Sequence, residues 1–306
     1  MLAQCLKSRL HAPRFLCLLA LAITLYNLYL SSLNYAYVRK LQCLEEYIDG
    51  LEFPYSAAHQ RPTIAGTNTN DIRQIIRPEL SSYLFNPVEK CAKGVDVIFI
   101  SFSNPSDLHI RNEIREKWTR NQTLRVAHVF FLGSTKNMTA SKDIEDEFFK
   151  YNDIVQDDFI DTYKNLTLKS MSVLKWVSSY CPNVTFTVKH DTDTQVEVDK
   201  LVQALYRQHR RHKSFIIGNL DKKAKPIRSG SKWSVSCETY PSSRYPAYIH
   251  GPTYGLTTNL ASRLLHACLD LPYFELEDIF VTGVCARQIN ALQITDTLFT
   301  YKYPDV

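Results

Sequence analysis

Val184-Thr-Phe-Thr-Val-Lys-His-Asp-Thr-Asp193 is the stretch on which the fold turns. Residues 184–189 are rich in β-branched and aromatic side chains, which predicts a strand. Two carboxylates, Asp191 and Asp193, follow at its carboxyl end. Side chains two apart share a face while the chain stays extended. Hard oxygen ligands so placed suit Mn²⁺ or Mg²⁺, and such an ion binds a diphosphate. An Asp-x-Asp alone is most often a solvated loop, so the strand before it carries the weight.

Working outward, Val95–Phe102 and Arg125–Leu132 read as buried strands, the second stopped by Gly133, and Ser214–Gly218 as a further one. Helices are predicted over Asp107–Trp118, Thr162–Tyr180 and Glu197–His209. In the second, Tyr163, Leu166, Val173, Leu174 and Val177 form one stripe; in the third, Val198, Leu201, Val202 and Leu205 do. Strands alternating with helices imply an α/β layer with a largely parallel sheet. Ligands of such layers bind at the carboxyl ends of the strands. A second carboxylate pair, Glu277-Asp278, opens Ile279-Phe-Val-Thr-Gly283. Acids at a helix start complement the dipole; equally, one could serve as a general base toward a hydroxyl. Spacing leaves both readings open.

The whole chain has 306 residues, 36 basic and 31 acidic, with 45% hydrophobic residues. These values exclude a disordered chain, a collagen and a small disulfide scaffold. With 9 glycines and no glycine-rich phosphate loop, Walker-type and dinucleotide readings start weak. Phe15–Leu33 carries no charge and is long enough to span a bilayer. Lys7, Arg9 and Arg14 before it favour a cytosolic amino terminus. The expected organisation is a tail (1–14), a signal anchor (15–33), a proline-containing stem (34–90) and a lumenal domain (91–306). Cys43, Cys91, Cys181, Cys237, Cys268 and Cys285 lie beyond the anchor without a CxxC pair, which fits disulfides rather than zinc. Asn121, Asn137, Asn165 and Asn183 head Asn-x-Ser/Thr triplets, candidate glycosylation sites. The run Arg207–Lys213 could be read as a nucleic-acid contact, but a solvated helix end explains it equally simply. Residues 1–44 hold five basic residues and no acid, so the remainder is formally neutral and no nucleic-acid partner is expected.

From about Cys91 to Gln288 the sequence resembles the beta-1,3-galactosyltransferase-like family of secretory-pathway glycosyltransferases. Ile110-Arg111-x-x-Ile114-Arg115-x-x-Trp118, Val129–Gly133 and Tyr151–Lys169 match its motifs in order. So do Lys189–Asp193, Lys232-Trp233, Tyr245-Pro-x-Tyr248, Gly251-x-x-Tyr254 and Glu277-Asp278-Ile279. The resemblance implies a GT-A type nucleotide-sugar transferase fold behind the anchor and stem, in a single-pass type II Golgi membrane protein. It implies Mn²⁺, a UDP-sugar donor, a glycan acceptor on glycoprotein or glycolipid, and an inverted beta-1,3 linkage. By position, Asp191 and Asp193 serve ribose and metal, Asp193 being the better metal ligand. Asp278 is the catalytic base, and Arg111 and Arg115 stand near the nucleotide, against a competing role in packing the first helix. Trp233, Tyr254 and Glu277 fall in the sugar and acceptor pocket, with core packing the competing reading for both aromatics. Thr192 replaces the middle Asp of the family's triplet, and Gln195 stands where Phe is common. His-Gly-Pro-Thr at 250–253 replaces a glycine-rich run, and no His follows His266. A non-catalytic chaperone or glycan-binding protein on the same fold is the alternative these departures raise.

Overall fold

The computed structural model describes residues 21–33, 76, 83–118 and 125–299. Asn121 and most of the expected tail and stem lie outside these, as do residues 15–20 of the expected anchor. The chain divides into two units, one of residues 1–63 and 235–243, the other of 64–234 and 244–306. In the first, residues 21–33 are helical and present exposed apolar side chains, among them Leu25, Leu28 and Tyr29. No helix among the described residues is long and apolar enough to cross a membrane.

The second unit is built on a seven-stranded sheet. Its strands are β1 (Val97–Phe102), β2 (Val126–Ser134), β3 (Ile154–Ile160), β4 (Phe186–Asp191), β5 (Ile216–Asp221), β6 (Tyr248–Thr257) and β7 (Gln293–Thr295). The order across the sheet is β3-β2-β1-β4-β6-β5-β7. Pairs β1–β2, β1–β4, β2–β3 and β5–β7 are parallel. Strand β6 runs antiparallel to both β4 and β5. The sheet is therefore largely parallel, as expected, and mixed only through β6, the one reversed strand. The reversal follows from the route of the chain, which returns to the sheet from the carboxyl edge after β5.

Helices α1 (Leu108–Trp118), α2 (Met138–Tyr151), α3 (Leu166–Tyr180), α4 (Val198–His209) and α5 (Ala261–Leu269) alternate with the strands. Alternate residues of one sheet face, Val97, Phe99, Phe186, Val188, Phe215 and Ile217, pack with Val198, Leu201, Val202 and Leu205 of α4. On the same face Phe130, Leu132 and Ile154 meet Ile144 of α2. Residues Thr167–Val177 of α3 are buried throughout. A helix buried all round sits within a core rather than on its surface.

The predicted strands and helices recur with ends shifted by a few residues. Gly133 does not stop β2, which continues to Ser134. Residues 83–91, expected in the stem or at its border, pack on the sheet unit. Phe85 bridges Gln156 of β3, and the Trp176 indole N–H donates to Asn86 Oδ1 at 2.9 Å. Disulfides join Cys91 to Cys181 and Cys268 to Cys285, and Cys237 is also disulfide-bonded.

Candidate active site

The carboxyl edge of the sheet holds the first group of functional side chains. Strand β4 ends in Lys189-His-Asp191, and alternation turns Lys189 and Asp191 to one face. The Lys189 ammonium is buried and donates to Asp191 Oδ1 at 2.6 Å and to the Gly251 carbonyl at 2.6 Å. Glu277 Oε2 lies 3.9 Å away. Burial disfavours the lysine charge, but Asp191 and Glu277 more than offset it, and the Lys189 pKa is raised. Asp193 lies two residues further on and is exposed.

The second group comes from the segment after α5. Asp278 caps a seven-residue π-helical segment, Ile279–Cys285. Its Oδ1 accepts from the Ile279 N–H at 2.9 Å, and its Oδ2 from the Gly251 N–H at 3.0 Å. Thr282 locks this turn to β6, since its hydroxyl donates to Ile249 O at 3.0 Å and accepts from Ile249 N–H at 2.9 Å. Gly251 packs closely against both carboxylates. A Cβ there would lie 3.3 Å from Asp278 Cβ and 3.4 Å from Glu277 Oε2. Burial raises the Asp278 pKa against these two backbone donors. Glu277 is 7% exposed, and burial lifts its carboxyl to about 7 despite Lys189. Its Oε1 accepts from Ser170 Oγ at 2.5 Å and from the Tyr254 hydroxyl at 2.9 Å. Lys189 is the main restraint on this rise, ahead of the Ser170 and Tyr254 hydrogen bonds, but burial outweighs it.

Asp191, Asp193, Glu277 and Asp278 all line one cavity of about 440 Å³, the size of a small-molecule site. Trp233 lines it too, 45% exposed, and faces Tyr163, 51% exposed. The Lys232 ammonium stands 4.8 Å and 5.4 Å from the Trp233 and Tyr163 ring centroids. Exposed rings beside a polar cavity suit stacking on a sugar face.

Three of the expected site residues stand elsewhere. Tyr254 is 4% exposed and does not line the cavity; it holds Glu277 from beneath. Arg111 is fully buried, forking onto Glu147 with Nε–Oε1 at 2.8 Å and Nη2–Oε2 at 2.7 Å. Its remaining donors go to Ser103 Oγ and to the carbonyls of Asn104 and Pro105. Arg115 forks onto Asp153 at 2.8 Å and 2.7 Å and also pairs with Glu147. Both guanidiniums belong to a packing network between α1, α2 and β3. Of the sequons described, Asn137 caps α2 by accepting from Thr139 and Ala140 N–H. Asn165 donates to Ile160 O, and Asn183 is exposed.

Sequence reasoning passed over Lys189, Ser170 and Thr282. Lys189 alone had a visible signal, its place two residues before Asp191 on the same strand face. As for a metal, no group of three or more His, Cys, Asp or Glu among the described residues is arranged to hold one. Mg²⁺-like ions at phosphate sites need only one or two carboxylates, with phosphate and water completing the shell. Exposed Asp193, with Asp191 beside it, fits that donor set.

Residues 109–296, which carry this site and most of the sheet beneath it, match the family model described as Galactosyltransferase. The chain belongs to the galactosyltransferase family. It is similar to beta-1,3-galactosyltransferase 5 of Gorilla gorilla gorilla, 35% identical over 198 residues, covering 63% of this chain and 66% of that protein. To beta-1,3-galactosyltransferase 2 of Mus musculus it is 32% identical over 218 residues, covering 68% and 51%. The chain thus spans between about half and two thirds of the length of these curated relatives. Among solved structures, a mannosyltransferase of Pyrobaculum calidifontis in complex with GDP-Man and Mn²⁺ has a TM-score of 0.39 at 10% identity. It covers 74% of this chain and 61% of that one, and a likeness so low carries no argument.

Proposed function

We propose that the protein is an inverting glycosyltransferase of GT-A type fold. It moves galactose or N-acetylglucosamine from a UDP-sugar to a hydroxyl of a glycan acceptor on glycoprotein or glycolipid, forming a beta-1,3 linkage. The observation that carries this reading is the placement of Asp278 in one cavity with Asp191 and Asp193. Asp278 accepts the proton of the acceptor hydroxyl as that oxygen attacks the anomeric carbon. Its two backbone donors fix the carboxylate and leave a lone pair on each oxygen for the incoming proton. Asp193, with Asp191 beside it, would hold Mn²⁺, which stabilises negative charge on a leaving diphosphate. Lys189 holds Asp191, and Trp233 with Tyr163 offers the aromatic faces on which a sugar stacks.

The same reading places the chain in the Golgi membrane as a single-pass type II protein, anchored by residues 15–33. Its support is the acid-free basic flank of residues 1–44 and the disulfides, which belong to an oxidising compartment. The test is calorimetry with UDP, with and without Mn²⁺, followed by UDP-sugars against glycan acceptors. Metal-dependent UDP binding and transfer of galactose or N-acetylglucosamine are expected. A chain that binds no UDP in Mn²⁺ is the non-catalytic chaperone or glycan binder instead.

A further inference from the structure

Strand β6 leaves regular pairing where it passes the cavity. Between the partners Gly218↔Tyr254 and Leu220↔Ile249, β5 advances two residues while β6 advances five, from 249 to 254. Residues 250–253 therefore form a bulge, a device that re-aims side chains next to binding sites. This bulge is the His-Gly-Pro-Thr segment of residues 250–253. His250 and Pro252 line the cavity, so a wall that glycine would leave bare carries an imidazole and a proline ring.

A neutral imidazole offers one hydrogen-bond donor and one acceptor. That of His250 is 30% exposed, and among the described residues it has no hydrogen-bond partner in the protein. Its nearest polar neighbour, Asp221 Oδ2, stands 3.8 Å from Nε2, beyond hydrogen-bond reach. The Tyr248 ring, 5.0 Å away between centroids, supports it from the side. The next residue, Gly251, donates its N–H to Asp278 Oδ2 at 3.0 Å, and His250 and Asp278 line the same cavity. An uncommitted hydrogen-bonding ring is thus held beside the carboxylate that takes the acceptor proton.

Topology says which substrate it meets. Strand β6 separates β4, which carries Asp191, from β5, which ends in Asp221. His250 approaches Asp221, on the side away from the diphosphate end of the site. We infer that His250 is an acceptor-specificity residue, its imidazole hydrogen-bonding a ring hydroxyl of a neutral hexose held over Asp278. Sugar hydroxyls both donate and accept, matching the two ring nitrogens. The flanking carboxylates Asp221 and Asp278 disfavour an acidic saccharide. This inference rests on the transferase reading of the cavity.

The test uses the full chain as wild type, His250→Ala and His250→Gln. Probes are the methyl glycosides of β-galactose, N-acetyl-β-glucosamine and N-acetyl-α-galactosamine, with methyl sialoside as the acidic control. Binding is read by saturation-transfer NMR in the presence of UDP and Mn²⁺, which needs no turnover. At least one neutral probe should bind wild type and weaken roughly tenfold in His250→Ala, the size of one lost hydrogen bond. His250→Gln should recover part of that loss, and UDP affinity should stay within about twofold. Equal probe affinities in wild type and His250→Ala, a parallel loss of UDP binding, or failure of every neutral probe to bind wild type would each overturn the inference. Transfer is scored in parallel samples in which UDP-galactose or UDP-N-acetylglucosamine replaces UDP. If wild type transfers nothing yet His250→Ala weakens probe binding, the transferase reading falls and the saccharide contact stands.

Discussion

The ammonium of Lys189 has three acceptors around it: Asp191 Oδ1, Gly251 O and, more distantly, Glu277 Oε2. It joins the strand end that carries Asp191 to the backbone that holds Asp278. Asp278→Asn keeps one oxygen and the shape of the turn but removes the proton acceptor. Transfer should fall by about 10²–10⁴, the usual worth of a positioned base. UDP affinity, measured by calorimetry, should hold; wild-type turnover in this variant would end the base assignment. Glu277 predicts a pH effect. Its folded pKa of about 7 lies above the ordinary 4.5, so protonation favours the folded state. That contribution is fully present below the unfolded pKa and is lost as pH rises through about 7. Glu277→Gln carries a neutral group at every pH. Melting curves from about pH 5 to about pH 8 should therefore show the variant gaining on wild type as pH rises. A constant gap would mean that burial does not govern this carboxyl.

Among the elements, β1, β2, β4 and β5 were legible because each is an apolar or β-branched run buried on both faces. Helices α1, α3 and α4 were legible from their apolar stripes or caps. Strand β3 was not, because Gln156 and Asp157 interrupt its run although both are buried. Their partners are remote in sequence: Asp157 meets Lys175 and the Ser172 hydroxyl. Strand β6 was hidden by Gly251, Pro252 and Gly255, which punctuate strands locally. In the sheet, Pro252 falls inside the bulge, where no ladder hydrogen bond is asked of it. The two acidic motifs were legible; the buried side chains that hold Glu277, those of Ser170 and Tyr254, came from α3 and β6, which motif spacing cannot place. The Cys268–Cys285 disulfide ties α5 to the π-helical segment across 17 residues. Removing it by Cys268→Ala with Cys285→Ala should cost about 3 kcal/mol in urea unfolding, the scale for a loop of that length. A loss near zero would show that Thr282 and the surrounding core hold the segment unaided.

At the scale of the whole molecule, the Arg111–Glu147–Arg115–Asp153 network binds α1, α2 and the start of β3 into one body. Breaking a buried pair from one side leaves a charge without its partner. Arg111→Met should lose about 3–5 kcal/mol of stability for that reason. Folded Arg111→Met should bind UDP as wild type does; a selective loss of UDP affinity at unchanged stability would return Arg111 to the nucleotide. The net charge of +5 has no share in this, since its excess sits in residues 1–44. Two of the disulfides join residues 90 and 17 apart, one wholly before Asp193 and the other around Asp278. A chain emerging amino end first can close the Cys91–Cys181 loop while residues 268–285 are still unmade. The half that bears Asp191 can thus mature on the ribosome's schedule, and the segment opened by Asp278 is clamped only at the end of synthesis. A chain interrupted before Cys285 would carry the Asp191 edge of the sheet without the disulfide that clamps the segment opened by Asp278, so on the proposed reading the last covalent step of folding comes late in the assembly of the site.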